Sequence, residues 1–400
     1  MYNVVIVGGG IVGLASALRL KEANPKLKIA VIEKEKTLAS HQTGHNSGVI
    51  HSGLYYKPGS YKAKNCISGY NSLVSFCEEE GISYEICGKV VVATQESQLG
   101  PLETLYERGN ANGLSGLRKL SSKEEIQEYE PHVNGIAGIF VPQTGIVDYV
   151  EVANKYAEKF QHFGGEIFTD NKIKKVTKRT DKLLQVETSH ETLTTRFLIN
   201  CAGLYSDKVA KTTQTKVDYK IIPFRGEYFK LKPEKEHLVK NLIYPVPDPN
   251  FPFLGVHFTR MIHGGIEAGP NAVLAYRREG YTKSAVHLGE FFESLFYPGF
   301  RKVAAKYWKT GFGELYRSYS KSAFTKALQE LIPEVEKKDL VAGGAGVRAQ
   351  ACDRKGGLLD DFLVLENDNI INVGNAPSPA ATSSLAIGKQ VADLTMEKLG

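Results

Sequence analysis

The apolar and polar positions of this chain open with a βαβ pattern. Tyr2–Val7 (YNVVIV) is a continuous apolar run that ends at glycine and predicts a buried strand. The amphipathic stretch 14–23 predicts a helix, and 28–32 a second apolar strand closed by Glu33. The junction reads Gly8-Gly9-Gly10-Ile11-Val12-Gly13, a G-x-G-x-x-G turn between strand and helix. There Gly8 permits the tight turn, Gly10 lets a pyrophosphate approach the backbone, and Gly13 lets helix and strand pack closely. The helix N-terminus adds N–H groups and a positive dipole end for phosphates. Glu33, twenty residues beyond Gly13, is spaced to accept hydrogen bonds from a ribose diol and to repel a 2′-phosphate. Together these features predict a bound dinucleotide other than NADP. A glycine turn without a ligand would not need that acid.

The pattern then alternates. A polar loop, 41–53, packs glycines, small hydroxyls and the histidines His41, His45 and His51. Helix 60–80 has Tyr70, Leu73, Val74 and Cys77 as its apolar stripe, and 87–94 (CGKVVVAT) reads as a strand. Helices follow at 98–110 and 121–129, the second opening on a capping box of Ser122 and Glu125, with a strand starting at 138. Helix 149–163 ends at Gly164-Gly165, and strands are expected at 166–169, 173–179 and 183–188. The buried strand 196–200 runs into Cys201-Ala202-Gly203 and a helix from Tyr205, which restores the α/β pattern. Stretches 220–232, 238–247, 253–262 and 266–276 alternate like antiparallel strands. Stretches 340–347, 362–366 and 370–373 are expected to return to the first sheet, before a Pro-Ser-Pro loop and a last helix at 380–398.

The fold class is therefore α/β with an α+β second domain. A Rossmann-like nucleotide domain is assembled from residues 1–85, 143–215 and 340–400, and a mostly antiparallel substrate domain from 86–142 and 216–339. Segment 288–324 stands apart, because aromatic residues such as Phe292, Phe296, Trp308, Phe312 and Tyr316 mingle with Arg301, Lys302, Lys306, Lys309 and Arg317. Two readings stay open: helices packed on the core with a solvated basic face, or an interfacial membrane-binding segment.

Composition narrows this further. A chain of 400 residues suits two domains. Its five cysteines are odd in number, dispersed and without C-x-x-C, which argues against a disulfide framework or zinc site and for a reducing compartment. The apolar N-terminus lacks the basic flank of a signal peptide, and no apolar run is long enough to span a membrane. A net charge of +6 suits anionic substrates or an anionic membrane surface without implying nucleic acid.

The far end of the chain decides between nicotinamide and flavin. Strand 370–373 leads through Pro377-Ser378-Pro379 to a helix expected to open on Ala380-Ala381-Thr382-Ser383-Ser384. Small residues at a helix N-terminus can approach a flat ring carbonyl and stabilise the negative charge that reduced flavin carries there. The 41–53 loop is likewise too rich for a phosphate grip alone. Flavin is the reading.

With these residues in view, the chain resembles the FAD-dependent D-amino-acid-oxidase-like superfamily, and within it the L-2-hydroxyglutarate dehydrogenases or oxidases. The resemblance runs end to end. It is carried by 45–56 (HNSGVIHSGLYY), 223–228 (PFRGEY), 269–275 (GPNAVLA), 346–350 (GVRAQ) and 375–388. It implies noncovalent FAD, oxidation of L-2-hydroxyglutarate to 2-oxoglutarate by hydride transfer to flavin N5, and electrons passed to a quinone or other acceptor. A peripheral place on the cytoplasmic side of an inner membrane is also implied. FAD contacts are expected at Gly8, Gly10, Ile11, Val12, Gly13, Glu33, Lys34, Thr43, His45, Asn46, Ser47 and Val176. The same holds for Cys201, Ala202, Gly203, Gly346, Arg348, Asn375, Pro377, Ser378, Pro379, Ala380, Thr382 and Ser383. An amine or amino-acid oxidase of the same superfamily is the alternative activity.

Oxidising a 2-hydroxy acid moves the Cα hydrogen as hydride while the hydroxyl loses a proton, so a base matched to neutral pH is needed. His51 is the candidate, the alternative role being a hydrogen bond to FAD or to its own loop. Two substrate carboxylates call for arginine, the best fork for that group. Arg348 is the leading candidate and Arg260 the next, with Arg225 also on the strands; Arg277 and Arg278 read as surface charges. His257, Tyr55 and Tyr244 are further candidate substrate contacts.

Overall fold

The computed structural model describes residues 1–213, 216–248 and 253–400. Residues 214–215, at the end of the expected 143–215 segment, and 249–252, between stretches 238–247 and 253–262, lie outside the described residues.

The opening pattern folds as a parallel unit. Strand Tyr2–Val7 pairs in parallel with Ile29–Ile32 on one side and Thr192–Asn200 on the other. Glu166–Phe168 extends one edge, and Ile370–Asn375 runs parallel beside residues 198–200. The hairpin of Lys175–Lys178 and Leu184–Glu187 and the strand Leu363–Asn367 complete an eight-stranded mixed sheet. Its central strands are buried on both faces, which is why they read as unbroken apolar runs rather than alternating ones. Helices Ile11–Ala23, Tyr149–His162 and Ser384–Leu399 cover one face, with Leu14, Leu18, Tyr156, Phe160 and Val391 fully buried among them.

A second, nine-stranded sheet lies across from the first. It runs in the order Val273–Leu274, Tyr219–Leu231, Ile266–Gly269, His257–Arg260, Leu242–Pro245, Lys89–Ala93, Ala137–Val141, Arg118–Leu120, with Leu340–Asp353 on the far side of Tyr219–Leu231. Every pairing in it is antiparallel except that of Leu242–Pro245 with Lys89–Ala93. Helix Lys321–Gln329 seals one face through Phe324 and Leu328.

Two expectations change. Stretch 340–347 was expected in the nucleotide sheet together with 370–373, but it is part of strand Leu340–Asp353, which pairs with Tyr219–Leu231 along its whole length. Its glycine-rich, weakly patterned sequence is compatible with either sheet, and the partner of matching length takes it. The final helix starts at Ser384, not Ala380, because 380–383 forms turns in which Ser383 N–H donates to Pro379 O. Segment 288–324 is four short helices, Leu288–Leu295, Pro298–Lys306, Trp308–Tyr319 and the start of Lys321–Gln329.

Arg278, read from the sequence as a surface charge, is 2% exposed. Its guanidinium makes a two-pronged pair with the buried Asp207, at 2.6 and 2.8 Å. That pair ties helix Ser206–Thr212 of the first sheet's layer to the chain leaving strand Val273–Leu274 of the second. Removing one partner leaves a buried charge uncompensated. Asp207→Ala is therefore expected to lower unfolding stability by about 3–5 kcal/mol, read as a shifted midpoint in chemical denaturation of the FAD-loaded protein.

Candidate active site

A cavity of about 1460 Å³ lies between the two sheets and takes its walls from both. Its first end is built by the glycine turn. Gly8 sits at φ +112°, in the left-handed region, and a Cβ there would meet Cys201 O at 2.4 Å. A Cβ on Gly13 would meet Gly8 O at 2.1 Å, so the helix can lie this close to the strand only with glycine. Gly13 is accordingly packed under the turn and does not line the cavity, whereas Gly8, Gly10, Ile11 and Val12 do.

The amides at this helix start are divided. Gly9 N–H donates to Glu33 Oε2 at 2.7 Å and Ile11 N–H to Thr43 Oγ1 at 3.1 Å. Those of Gly10 and Val12 have no protein acceptor among the described residues. A helix N-terminus with unspent donors facing open space fits a pyrophosphate. Glu33 also accepts Glu35 N–H at 2.9 Å, which fixes its carboxylate at the cavity wall. Lys34 reaches Glu279 at 2.5 Å and His41 Nε2 at 2.9 Å, closing this end with an ionic cluster. Cys201, Ala202 and Gly203 line the same end.

The middle wall is the 41–48 loop. Asn46 holds it by donating to the carbonyls of Gln42 and Thr43 and accepting from Gly48 N–H. His45 stacks on Tyr281 with centroids 4.1 Å apart. Gly346 passes beneath, where a Cβ would meet His45 O at 2.6 Å. Thr43, His45, Asn46, Ser47 and Gly346 all line the cavity.

At the other end Ser378, Pro379 and Ala380 line it together with Asn375. The Asn375 amide is used by backbone, accepting from Ala351 N–H and donating to the carbonyls of Leu359 and Asp361. Pro377, Thr382 and Ser383 do not reach the cavity. Thr382 is fully buried, accepts His51 N–H at 3.1 Å and lies 2.8 Å from Tyr149 Oη, so it anchors His51 from behind. Ser383 is fully buried against Gly69 and its hydroxyl has no partner among the described residues.

Val176 is a correction. It faces the apolar cluster of Val5, Leu184 and Val186 in its hairpin, away from the cavity, and the lining there comes from Asn171, Lys172 and Ile173 instead. Arg260 is another. Its side chain turns outward to Glu85 at 2.6 Å and Asn241 Oδ1 at 3.4 Å, because the alternation of strand His257–Arg260 puts it on a different side from the cavity-lining His257.

His51, Tyr55, Tyr244, His257 and Arg348 converge on the cavity. His51 Nε2 lies 3.3 Å from Ser378 Oγ. The ring sits deep in the protein while facing the open cleft, and loss of bulk water, reinforced by Lys89, His257, Lys62 and Arg348, pushes its pKa down to about 3. His257 stacks on Tyr244 at 3.9 Å with Nδ1 3.0 Å from Gly255 O, and desolvation, with Lys89 and Arg348, lowers it to about 4. Both imidazoles are neutral at neutral pH.

The arginines separate by partner. Arg225, 1% exposed, is paired to Glu227 at 3.1 Å and donates to Thr282 O. Arg277 lies 3.6 Å from Glu279. Arg348 meets no carboxylate among the described residues and stacks over Phe253 at 5.0 Å. Its exposed surface faces the cleft rather than bulk solvent, and desolvation lowers its pKa although the guanidinium stays charged.

Sequence reasoning passed over Tyr228, Tyr56 and Lys62, which also line this end, and Lys89, which lies behind it. Lys89 had a visible signal, since it is a lysine opening an otherwise apolar strand (KVVVA).

Comparison with known proteins agrees with this geometry. Residues 3–394 match the family described as FAD dependent oxidoreductase. An L-2-hydroxyglutarate dehydrogenase of Indibacter alkaliphilus is 62% identical over 399 residues, covering 99% of each chain. The mitochondrial L-2-hydroxyglutarate dehydrogenase of Homo sapiens is 45% identical, covering 99% of this chain and 89% of the human one. Among solved structures, the FAD-bound L-alpha-glycerophosphate oxidase of Mycoplasma pneumoniae superposes with a TM-score of 0.80 at 25% identity, over 99% of this chain and 94% of its own. The glycine turn, the unspent amides and the long cavity between the sheets fit the cofactor of that family, and the chain belongs to the FAD dependent oxidoreductases.

Proposed function

We propose that this chain oxidises L-2-hydroxyglutarate to 2-oxoglutarate on a noncovalently held FAD and passes the electrons to a quinone or other acceptor. Kinship over nearly the whole chain with dehydrogenases of that name supports the substrate. The observation that carries the reading at the site is one cleft holding both a neutral histidine, His51, and an unpaired guanidinium, Arg348.

The Gly10 and Val12 amides would hold the pyrophosphate of FAD and Glu33 its ribose diol. Lys34, Thr43, His45, Asn46, Ser47, Cys201, Ala202, Gly203, Gly346 and Ser378 to Ala380 line the same cavity and would complete its binding site. FAD, when bound, supplies the acceptor for the substrate's Cα hydrogen. Arg348 forks one substrate carboxylate and so orients the 2-carbon. His51 takes the hydroxyl proton on a ring nitrogen; Thr382 and Ser378 hold that ring in place. Tyr55 Oη, buried without a partner among the described residues, and the Tyr244–His257 pair complete the polar wall around the substrate.

Peripheral contact with the cytoplasmic face of an inner membrane belongs to the same proposal. No helix is long and apolar enough to cross a membrane among the described residues. Yet Leu288, Phe296, Trp308, Phe312, Tyr316 and Tyr319 are each more than half exposed on helices that also carry Arg301, Lys302, Lys306 and Lys309. An apolar face beside clustered cations suits the boundary of an anionic bilayer.

The first test is the absorbance of the purified protein followed anaerobically. Flavin bleached by L-2-hydroxyglutarate and not by its D-isomer is expected; flavin bleached by amino acids instead would move the activity to the amine-oxidising branch. His51→Ala should retain FAD and slow that bleaching by ~10²-fold, a typical share for a general base. Because the His51 pKa is depressed, the acid limb of wild-type flavin reduction should lie below the ordinary histidine range near pH 6.5. Replacing Trp308 and Phe312 with serine should abolish co-sedimentation with phosphatidylglycerol vesicles at unchanged flavin reduction; undiminished binding would return these helices to ordinary surface.

A further inference from the structure

Lys89 is the first residue of the buried strand Lys89–Ala93 and is 1% exposed. Its ammonium lies 4.4 Å from the Tyr55 ring centroid and 4.9 Å from that of Tyr244. Among the described residues it has neither an ion pair nor a hydrogen bond. Aromatic faces attract a desolvated cation but do not neutralise it. A buried charge without a counterion is costly, so buried charges are normally paired. Both tyrosines line the cavity, and the Tyr244 ring stacks in turn on His257.

The lysines and arginines whose charge reaches His51 are Lys89, Lys62 and Arg348, and of these Lys62 is paired with Asp360 at 2.8 Å. Farther along the wall Arg225 is paired with Glu227 and Arg277 with Glu279, while the exposed Arg108 has no carboxylate partner among the described residues. Arg348 and Lys89 are thus the cations at His51 itself that lack a carboxylate among the described residues. A 2-hydroxy dicarboxylate brings two negative charges.

We propose that Lys89 is a positioning residue for the second carboxylate: clamped beneath Tyr55 and Tyr244, it fixes those rings in the cleft wall and sets behind them a positive charge that only a bound dianion balances. This rests on the 2-hydroxy dicarboxylate reading of the cleft. Lys89 acts through the two rings and through its field, since it does not itself line the cavity.

The groups facing Lys89 are His51 and Tyr55 from the loop after strand Val49–Ile50, Cys66 from helix Tyr61–Glu80, and Tyr244 and His257 from the second sheet. None is a carboxylate. Desolvation draws the Lys89 pKa down to about 7, slightly offset by the Cys66 thiol. A lysine so placed loses its charge as pH rises through neutrality, and while charged it helps keep His51 unprotonated.

The test uses FAD-loaded enzyme reduced anaerobically by L-2-hydroxyglutarate and by L-2-hydroxyvalerate, which lacks the second carboxylate, across the pH range. In wild type, KM for the dicarboxylate should rise on the alkaline side of about pH 7 while that for the monocarboxylate stays level. Lys89→Met should raise the dicarboxylate KM by ~10-fold or more, leave the monocarboxylate within a few-fold, and move the acid limb of flavin reduction to higher pH. Lys89→Arg keeps the charge at all working pH and should preserve the dicarboxylate preference while abolishing its alkaline rise. Equal weakening of both substrates by Lys89→Met with an unmoved acid limb would reduce Lys89 to packing and overturn the proposal. If Lys89→Met does not hold FAD, Lys89→Arg decides, since an alkaline rise that persists in it overturns the proposal as well. Wild-type flavin that neither acid bleaches would instead remove the reading of the cleft, and this proposal with it.

Discussion

The ladder between Tyr219–Leu231 and Leu340–Asp353 is the constraint on which the site depends. It joins stretches more than a hundred residues apart, so its loop-closure cost is met by a long run of paired backbone and by buried side chains on both strands. Its register sets Arg348 opposite Phe224 and Gly346 opposite Gly226. That brings the unpaired guanidinium to the cavity and leaves the space beneath His45 that a Cβ on Gly346 would fill. Slipping the register by one residue would turn Arg348 to the opposite face of the strand.

Charge inside the molecule is distributed by partner rather than by number. Asp207 neutralises Arg278, Glu227 neutralises Arg225 and Glu85 holds Arg260 at the outside. Asp207 and Glu85 make Arg278 and Arg260 ties between distant segments, whereas Glu227 neutralises Arg225 within one strand. At the His51 end Arg348 and Lys89 stay without a carboxylate among the described residues, and the low polarity of the surroundings magnifies both charges. Desolvation, reinforced by that positive field, depresses the imidazoles of His51 and His257, so anion attraction and a proton-accepting histidine arise from one arrangement.

The exposed aromatic helices are also connected to the cavity. Glu314, on the inner side of helix Trp308–Tyr319, accepts Ala272 N–H at 2.9 Å, and Ser318 donates to Glu227 at 2.7 Å. Ala272 lines the cavity, and Glu227 pairs with Arg225, which does too. The helix therefore presents aromatic residues outward and hydrogen-bonds the cavity wall inward, so the amphipathic pattern of this segment serves two surfaces.

The local parts of this protein were legible in order along the chain. Hydrophobic period, glycine spacing and the acid after the second strand specified the βαβ unit, because strand burial, turn geometry and ligand donors there all involve residues within about thirty positions. Capping at Ser122 and the boundaries of most helices followed for the same reason. What tertiary structure decided was partnership. A weakly patterned strand such as Leu340–Asp353 can join either sheet, and a valine such as Val176 packs equally well beside a cofactor or inside a hairpin. An arginine looks the same in sequence whether a distant carboxylate neutralises it, as at Arg278 and Arg260, or leaves it open, as at Arg348. The chemistry of a charged side chain depends on the groups brought within a few ångströms of it. In this chain those groups come from segments dozens to hundreds of residues away, so the elements were written locally and the site was made by folding.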